Sequence, residues 1–141
     1  MDRVRLVLVD DSRDFSKVAS RFLSKLESLE LVGLGSRAED ALELVVRLLP
    51  DVVLLDLAMP GKGGLDVIPE LKAAHPGVKI VVLTLFGAGG YRQAALEAGA
   101  DAFVAKKSMG VDLLPAILRV ARETGAPRLL GRQDGRTEGP G

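Results

Sequence analysis

The sequence contains no cysteine, and this absence removes several kinds of functional site at once. Disulfide bridges, a thiolate nucleophile and zinc sites of the usual sulfur type are all excluded. A chain without disulfides suits a reducing compartment, and we expect a cytoplasmic protein. The single histidine, His75, precedes Pro76-Gly77, and we predict that it ends a helix in an exposed position without a catalytic role.

The sequence also lacks an excess of charge of either sign, because 19 Lys and Arg balance 19 Asp and Glu. No overall field therefore draws the chain onto nucleic acid or anionic lipid. The apolar segment that follows residues 1–5 is too short for a signal-peptide core or a membrane span. We expect a soluble chain with no membrane partner and, by itself, no nucleic-acid partner.

Short apolar runs alternate with longer amphipathic segments, and each run suits a strand that is buried on both faces. This alternation predicts an α/β fold, a doubly wound five-stranded parallel sheet with helices on both faces. With 141 residues and 48% hydrophobic composition we expect one domain, residues 1–124, and a flexible tail, residues 125–141. The predicted strands are 4–9, 31–34, 52–55, 79–83 and 102–104; the predicted helices are 15–29, 38–49, 65–75, 91–98 and 111–124.

Local signals place some helix ends. Ser36 and Glu39 have the spacing of a capping box at the start of the second helix. Pro69 and Pro115 fall inside helical segments, where proline removes an N–H and its ring clashes with the preceding turn. We therefore expect late helix starts or kinks at these two prolines.

Polar residues follow the predicted strands where each strand ends. In an open parallel sheet these ends share one edge and form the binding crevice. The edge would collect three carboxylates, and two unit charges 4 Å apart repel by about 4 kcal/mol at an effective dielectric near 20. A divalent cation such as Mg²⁺, which takes carboxylate oxygens, water and phosphate oxygens, would offset this repulsion. The residues at this edge are Asp10, Asp11, Asp56, Thr84 and Lys106.

Asp56 beside such a metal could act as a nucleophile toward a phosphoryl group. Thr84 could donate a hydrogen bond to one phosphoryl oxygen, and Lys106 could pair with another. A phosphatase with an aspartyl nucleophile would need a second acid at Ala58, so we expect no enzymatic turnover.

These residues together resemble the receiver domain of bacterial two-component response regulators, the CheY-like family. The matching features are the acid pair, Asp56 followed by Leu-Ala-Met-Pro-Gly, Thr84, and Lys106 after Asp-Ala-Phe-Val. The resemblance covers roughly residues 4–124 and implies the flavodoxin-like strand order 2-1-3-4-5. It implies that Asp56 accepts the phosphoryl group.

The resemblance further implies that Asp11, Asp56 and the backbone carbonyl of Ala58 bind Mg²⁺, and that Asp10 assists through water. Thr84 and Lys106 would sense the phosphoryl group, Phe103 would be the switch aromatic, and the surface of the fourth helix, fifth strand and fifth helix would respond. The implied partners are a histidine kinase or histidine phosphotransfer protein, an unknown downstream protein and, as an open possibility, a second copy.

Three departures and alternatives stay open. Lys107-Ser108 stands where the family often has proline, which resembles the NarL/LuxR-type receivers that carry a helix-turn-helix domain. We expect no such domain in residues 125–141, and whether the chain is a stand-alone regulator or a fragment of a DNA-binding one stays open. The bulky pair Leu85-Phe86 after Thr84 could shield the phosphoryl group or block a donor. This pair therefore leaves open an alternative function, that of a pseudo-receiver that binds partners without phosphotransfer. Residues 33–38 also fit the dinucleotide-binding pattern G-x-G-x-x-A, but that function would leave the acid pair unexplained.

Overall fold

Five strands and five α-helices alternate along the chain in the computed structural model, which describes residues 3–57, 63–85 and 90–123. The strands are β1 (Val4–Val9), β2 (Leu29–Gly35), β3 (Val52–Leu55), β4 (Lys79–Thr84) and β5 (Ala102–Ala105). The helices are α1 (Arg13–Ser24), α2 (Ala38–Leu48), α3 (Gly64–Ala74), α4 (Gly90–Ala98) and α5 (Met109–Glu123), and a 3₁₀ turn (Lys106–Ser108) precedes α5. The predicted tail, residues 125–141, lies outside the described residues.

All five strands are parallel and form one sheet in the order β2-β1-β3-β4-β5. This result confirms the predicted strand order and fold class. Strands that are consecutive in sequence are joined through a helix, as parallel strands require. All five carboxyl ends therefore lie at one edge, which we call the carboxyl edge.

The sheet is buried on both faces, as the apolar runs predicted. Val7 and Val9 face a core cluster that includes residues of α2, α3 and α4. Leu6 and Leu8 face the opposite cluster, which includes residues of α1 and α5. Alternate residues of one strand thus stabilise both layers, because side chains along a strand point to opposite faces.

The first helix is shorter than predicted and the second strand is longer. α1 ends at Ser24, whereas helical spacing of apolar residues had extended it to Leu29. Leu29 instead begins β2, where it pairs with Val4, and its side chain is fully buried. The buried leucine that follows the turn has the sequence spacing that another turn of helix would give it. Periodicity alone therefore placed this boundary wrongly.

The expected capping role of Ser36 is wrong. The carboxylate of Asp40 accepts hydrogen bonds from the backbone N–H groups of Ser36 at 2.9 Å and Arg37 at 3.0 Å. Arg37 is the residue that precedes the helix, and Asp40, rather than Glu39, occupies the third helical position. The carboxylate therefore closes the start of α2 from inside the helix.

The two helical prolines do not delay their helices. α3 begins at Gly64, five residues before Pro69, and α5 begins at Met109, six residues before Pro115. Both proline side chains are exposed to solvent, so their rings do not disturb the core packing of either helix. His75 follows α3 and is half-buried rather than exposed, with Nε2 3.1 Å from the carbonyl oxygen of Pro50.

The glycines of the dinucleotide-like pattern have a packing role in this fold. A Cβ atom on Gly33 would lie 3.0 Å from side-chain atoms of Leu44 and Leu48, and one on Gly35 would lie 2.7 Å from Cβ of Asp40. Both glycines therefore allow α2 to lie close to β2. In the described residues no helix is long and apolar enough to span a membrane.

Candidate functional site

The acid pair lies where β1 reaches the carboxyl edge. The backbone N–H of Asp10 donates to the carbonyl of Gly35 at 3.0 Å, which ties the end of β1 to β2. The Asp10 side chain is almost fully buried, and its Oδ1 accepts the backbone N–H of Ser12 at 2.8 Å. Asp11 is exposed. The pair therefore offers one buried and one solvent-facing carboxylate.

Asp56 joins this pair from the neighbouring strand. Its backbone N–H donates to the carbonyl of Val9 at 3.0 Å, and its side chain is buried, with 5% of its surface exposed. One carboxylate oxygen each from Asp10, Asp11 and Asp56 lies within 4.8 Å of the others. The structure thus brings together the three acids that the sequence predicted at one site.

The three carboxylates fit a hard divalent cation. Carboxylate oxygens are preferred Mg²⁺ ligands, and three negative charges this close repel one another strongly. Oδ2 of Asp10 is buried and makes no hydrogen bond among the described residues, and the charge that faces it there is the Lys106 ammonium at 2.6 Å. The predicted fourth ligand, the backbone carbonyl of Ala58, lies outside those residues.

Lys106 supplies the positive charge inside the site. Its side chain is 6% exposed, and Nζ lies 2.6 Å from Oδ2 of Asp10 and 3.4 Å from Oδ2 of Asp56. The contact with Asp10 is an ion pair whose angles do not meet hydrogen-bond geometry, whereas the longer contact with Asp56 does meet them. A single ammonium therefore bridges the buried acid of β1 and the acid that follows β3.

Thr84 is the last residue of β4 and is buried, with 1% of its surface exposed. Thr84 pairs in register with Ala105, the residue before Lys106. Thr84 and Lys106 therefore both lie at the carboxyl edge. The next residue, Leu85, is 73% exposed, and Phe86 lies outside the described residues. The predicted sensing pair therefore occupies neighbouring strand ends beside an exposed leucine.

Phe103 lies in β5, paired with Val82, and is half-buried. Its ring packs against the core cluster of the α2, α3 and α4 face. The guanidinium carbon of Arg92 on α4 lies 5.9 Å from the ring centroid, within cation–π range. Phe103 thus connects β5 to α4 on the predicted response surface.

Two residues of the site were not predicted from the sequence. Ser12 links the acid pair to α1, because its N–H bonds Asp10 and its Oγ accepts the N–H of Phe15 at 3.1 Å. The ring centroid of Phe15 lies 4.2 Å from Nζ of Lys106. A serine just before a helical segment is a typical N-cap signal. No sequence signal identifies the ring contact.

A cleft of about 640 Å³ adjoins the acid pair on the side of α1, β2 and α2. It meets the site at Asp10 and Asp11 but is not lined by Asp56, Thr84 or Lys106. The side chains at the strand ends, and not this cleft, therefore locate the chemistry.

Comparison with known families identifies the family to which this fold belongs. Residues 6–118 match the response regulator receiver domain. The chain belongs to this family. The predicted resemblance is confirmed, and it extends over all five strands of the sheet.

Individual relatives place this receiver among response regulators. It is similar to the transcriptional regulatory protein DesR of Bacillus subtilis, with 33% identity over 129 residues that cover 90% of this chain and 64% of DesR. A protein-glutamate methylesterase/protein-glutamine glutaminase of Myxococcus xanthus is 42% identical over 104 residues, which cover 73% of this chain and 30% of that protein. Among solved structures, the signal receiver domain of the response regulator NarL from Mycobacterium tuberculosis superposes with a TM-score of 0.81 and 31% identity, covering 86% of this chain and 98% of that one.

The receiver accounts for only part of most of these relatives. The chain spans 64% of DesR and 55% of the response regulator GacA from Pseudomonas aeruginosa. What the remaining parts of those proteins do is a property of the relatives and is not carried over to this chain by the match.

Proposed function

We propose that this receiver accepts a phosphoryl group on Asp56 from a phosphohistidine in a histidine kinase or histidine phosphotransfer protein. The observation that carries the proposal is the buried triad of Asp10, Asp56 and Lys106, in which one ammonium contacts both acids at 2.6 Å and 3.4 Å. Asp11 adds a third carboxylate at the solvent side. Three crowded acids, two of them in contact with one buried ammonium, at strand ends that the family uses for its site, favour a functional role over a packing role.

The transfer is a nucleophilic displacement at phosphorus. An oxygen of the Asp56 carboxylate attacks the phosphorus, a new O–P bond forms, and the N–P bond of the phosphohistidine breaks. The bonding electron pair remains on the imidazole nitrogen, which takes a proton. Lys106 pairs with the negative charge that develops on the phosphoryl oxygens, and Thr84 donates its hydroxyl proton in a hydrogen bond.

Asp10, Asp11 and Asp56 are the described residues that would hold Mg²⁺, with Ala58 offering a carbonyl. When bound, the metal supplies charge neutralisation at the crowded acids and at the phosphoryl oxygens. The protein's own contribution is to bury Asp10 and Asp56 while Asp11 stays open to solvent. This arrangement leaves one side of the site open to water ligands and to a donor.

We propose that phosphorylation changes the surface formed by α4, β5 and α5. Thr84 and Lys106 connect the acceptor to the ends of β4 and β5, and Phe103 contacts Arg92 on α4. The same surface presents two exposed apolar side chains, Leu96 at 38% and Val111 at 77%. Exposed apolar side chains on a responsive surface favour a protein partner, either a downstream protein or a second copy.

Intact-mass analysis after incubation with Mg²⁺ and acetyl phosphate tests the proposal directly. We expect the wild type to gain one phosphoryl group and the Asp56→Asn variant to gain none. Asp66→Asn is the matched control, since Asp66 is an exposed acid in the first turn of α3. Chelation of Mg²⁺ with EDTA should stop the reaction.

The rival function is a pseudo-receiver that binds partners without phosphotransfer. The exposed Leu85 beside Thr84 is the feature that would favour it, because a bulky neighbour can block a donor. Absence of phosphate on the wild type, or equal addition to Asp56→Asn, would reject the phosphoacceptor function.

A cytoplasmic location accords with the absence of cysteine.

A further inference from the structure

The aromatic ring of Phe15 forms one wall of the pocket that holds the Lys106 ammonium. Nζ lies 4.2 Å from the ring centroid, well within the 6 Å limit of cation–π contacts. The Lys106 side chain is 6% exposed, so the ring attracts a cation that is largely removed from water. Three groups thus surround the ammonium: the carboxylates of Asp10 and Asp56 and the face of Phe15.

Hydrogen bonds at the β1–α1 junction fix the position of the Phe15 ring relative to the acid pair. The N–H of Phe15 donates to Oγ of Ser12 at 3.1 Å, and the N–H of Ser12 donates to Oδ1 of Asp10 at 2.8 Å. Phe15 also packs against the core cluster beneath α1 and α5. The positions of the ring and of Asp10 are therefore coupled through one short, capped segment.

The two carboxylates hold the ammonium unequally. A lysine has a flexible stem and a point charge, so two acids at unequal distances should draw it toward the nearer one. Its 2.6 Å contact with Asp10 lacks hydrogen-bond geometry, while it keeps a hydrogen bond to Asp56 at 3.4 Å. The face of Phe15, 4.2 Å from Nζ, is a third attraction that acts on the ammonium together with the two acids.

We propose that Phe15 is a positioning residue for Lys106: its ring face holds the ammonium between Asp10 and Asp56, directed at the phosphoryl group that Asp56 accepts. This inference rests on the proposed function for its consequence, since a misplaced ammonium would slow phosphoryl transfer. The position of the ammonium itself is a property of the protein before any transfer takes place.

NMR spectroscopy of the metal-free protein tests the position directly. Protons held over an aromatic face are shielded, so the Hε signals of Lys106 should lie upfield of the other lysines and be absent from Lys106→Met. The shift should disappear in Phe15→Leu and persist in Phe15→Tyr. An unshifted Lys106 signal in the wild type, or a shift unchanged in Phe15→Leu, would overturn the proposal.

Phe22→Leu is the matched structural control. Phe22 lies on the same helix and packs against the same core cluster, but within the described residues the cation–π contact of Lys106 is with Phe15 and not with Phe22. We expect it to lower stability without changing the Lys106 shift. An equal loss of the shift in both leucine variants would show a general loosening of α1 and would overturn the assignment.

A double-mutant cycle on phosphorylation rate tests the consequence. Phe15→Leu should slow reaction with acetyl phosphate about threefold to tenfold, in the range of partly buried cation–π contacts. In the Lys106→Met background the same change should have no further effect, because the ring then has no cation to hold. Equal slowing in both backgrounds would show that Phe15 acts only through packing.

The two arms separate this inference from the function on which it rests. The spectroscopic arm needs no phosphoryl transfer, and an absence of phosphorylation in the wild type would reject the phosphoacceptor function alone. If the Lys106 shift is lost in Phe15→Leu but the two substitutions slow phosphorylation independently of each other, Phe15 positions the ammonium without affecting the reaction. That outcome would overturn the positioning role in phosphoryl transfer.

Discussion

The two ends of the sheet both hold acids beside lysines, but the balance of charge differs. At the amino end, Oδ2 of Asp101 accepts hydrogen bonds from Lys72 Nζ at 2.7 Å and from the backbone N–H of Ile80 at 2.8 Å. Lys79 lies 3.8 Å from the other oxygen of Asp101. At the carboxyl edge three acids lie close together, and the ammonium of Lys106 contacts two of them, Asp10 and Asp56.

This difference separates an acid that stabilises the fold from acids arranged for chemistry. Asp101 links α3 to β4 and β5, and hydrogen bonds and ion pairs with its partners offset the cost of its partly buried charge. The acids of the carboxyl edge repel one another, and they persist in the fold although replacing one would relieve that repulsion. Removing an acid should therefore have opposite effects on stability at the two ends, which gives the following predictions.

The largest expected effect is at the amino end. Asp101→Ala should lower the free energy of unfolding by about 2–3 kcal/mol, because two donors, one of them charged, lose their acceptor. Urea unfolding measures the change. Glu123→Gln is the control, since the Arg119–Glu123 pair is half-exposed and should contribute at most about 0.5 kcal/mol. Equal effects in the two variants would contradict the assignment of Asp101 as a structural acid.

At the carboxyl edge the sign should reverse. Asp56→Asn should raise the free energy of unfolding of the metal-free protein by about 1–2 kcal/mol, because it removes one of three mutually repelling charges. Urea unfolding in EDTA and in Mg²⁺ measures both states. Mg²⁺ should stabilise the wild type more than the variant, since ligand binding stabilises only the state that binds it.

Asp66→Asn is again the matched control: loss of a charge from the first turn of α3 should lower stability by at most about 0.5 kcal/mol and leave the response to Mg²⁺ unchanged. A metal-free Asp56→Asn protein that is less stable than the wild type would mean that Asp56 contributes more to the fold through its contacts than it costs through repulsion. The comparison between the two ends of the sheet would then fail.

Much of this site could be predicted because parallel strands end at one edge. Knowing only that Asp10, Asp56 and Thr84 each close a buried apolar run is enough to bring them together. The strand order followed from the family resemblance. Both inferences depend on chain direction and strand order, which sequence patterns carry well.

Contacts set by side-chain direction or by loop conformation could not be predicted. The ring of Phe15 meets Lys106 across more than ninety residues of sequence, and only the packing of α1 on the sheet determines that approach. Asp101 likewise finds Lys72 through the packing of α3. The boundary at Leu29 was misplaced because a turn preserved the spacing of a helix.

The start of α2 gives a smaller, pH-dependent test of such a missed contact. The hydrogen bond from the Ser36 backbone, with that from Arg37 and the nearby guanidinium, lowers the pKa of Asp40 in spite of partial burial. Asp40→Asn should therefore cost about 1 kcal/mol at pH 7, the usual size of a cap contribution. Urea unfolding across a pH series measures the difference between the two proteins.

The sign of this pH dependence follows from the direction of the shift. Because the folded-state pKa lies below the unfolded value, the stabilisation is fully present above that unfolded value, near pH 4. It is lost as the pH falls through the folded-state pKa, so the difference between wild type and Asp40→Asn should shrink there. A difference that is constant across the series would show that the charge of Asp40 contributes nothing.

The smallest expected effect concerns Leu49, which follows α2 at the amino end of the sheet. Its backbone has φ 49° and ψ 58°, the left-handed region that costs a side-chain-bearing residue about 1–2 kcal/mol. The guanidinium of Arg5 donates to the carbonyls of Leu48 at 2.8 Å and Leu49 at 3.0 Å, which holds this conformation in place. The side chain itself is 54% exposed and contributes little to the core.

Leu49→Gly should therefore raise the free energy of unfolding by about 0.5 kcal/mol, because relief of the left-handed strain exceeds the entropy that glycine loses on folding. Leu49→Ala is the matched variant, since it removes the same side chain and keeps the strain. Thermal unfolding should rank glycine above alanine, and phosphorylation of Asp56 should be equal in both. A glycine variant no more stable than the alanine variant would mean that the left-handed conformation of Leu49 carries no strain energy in the folded protein.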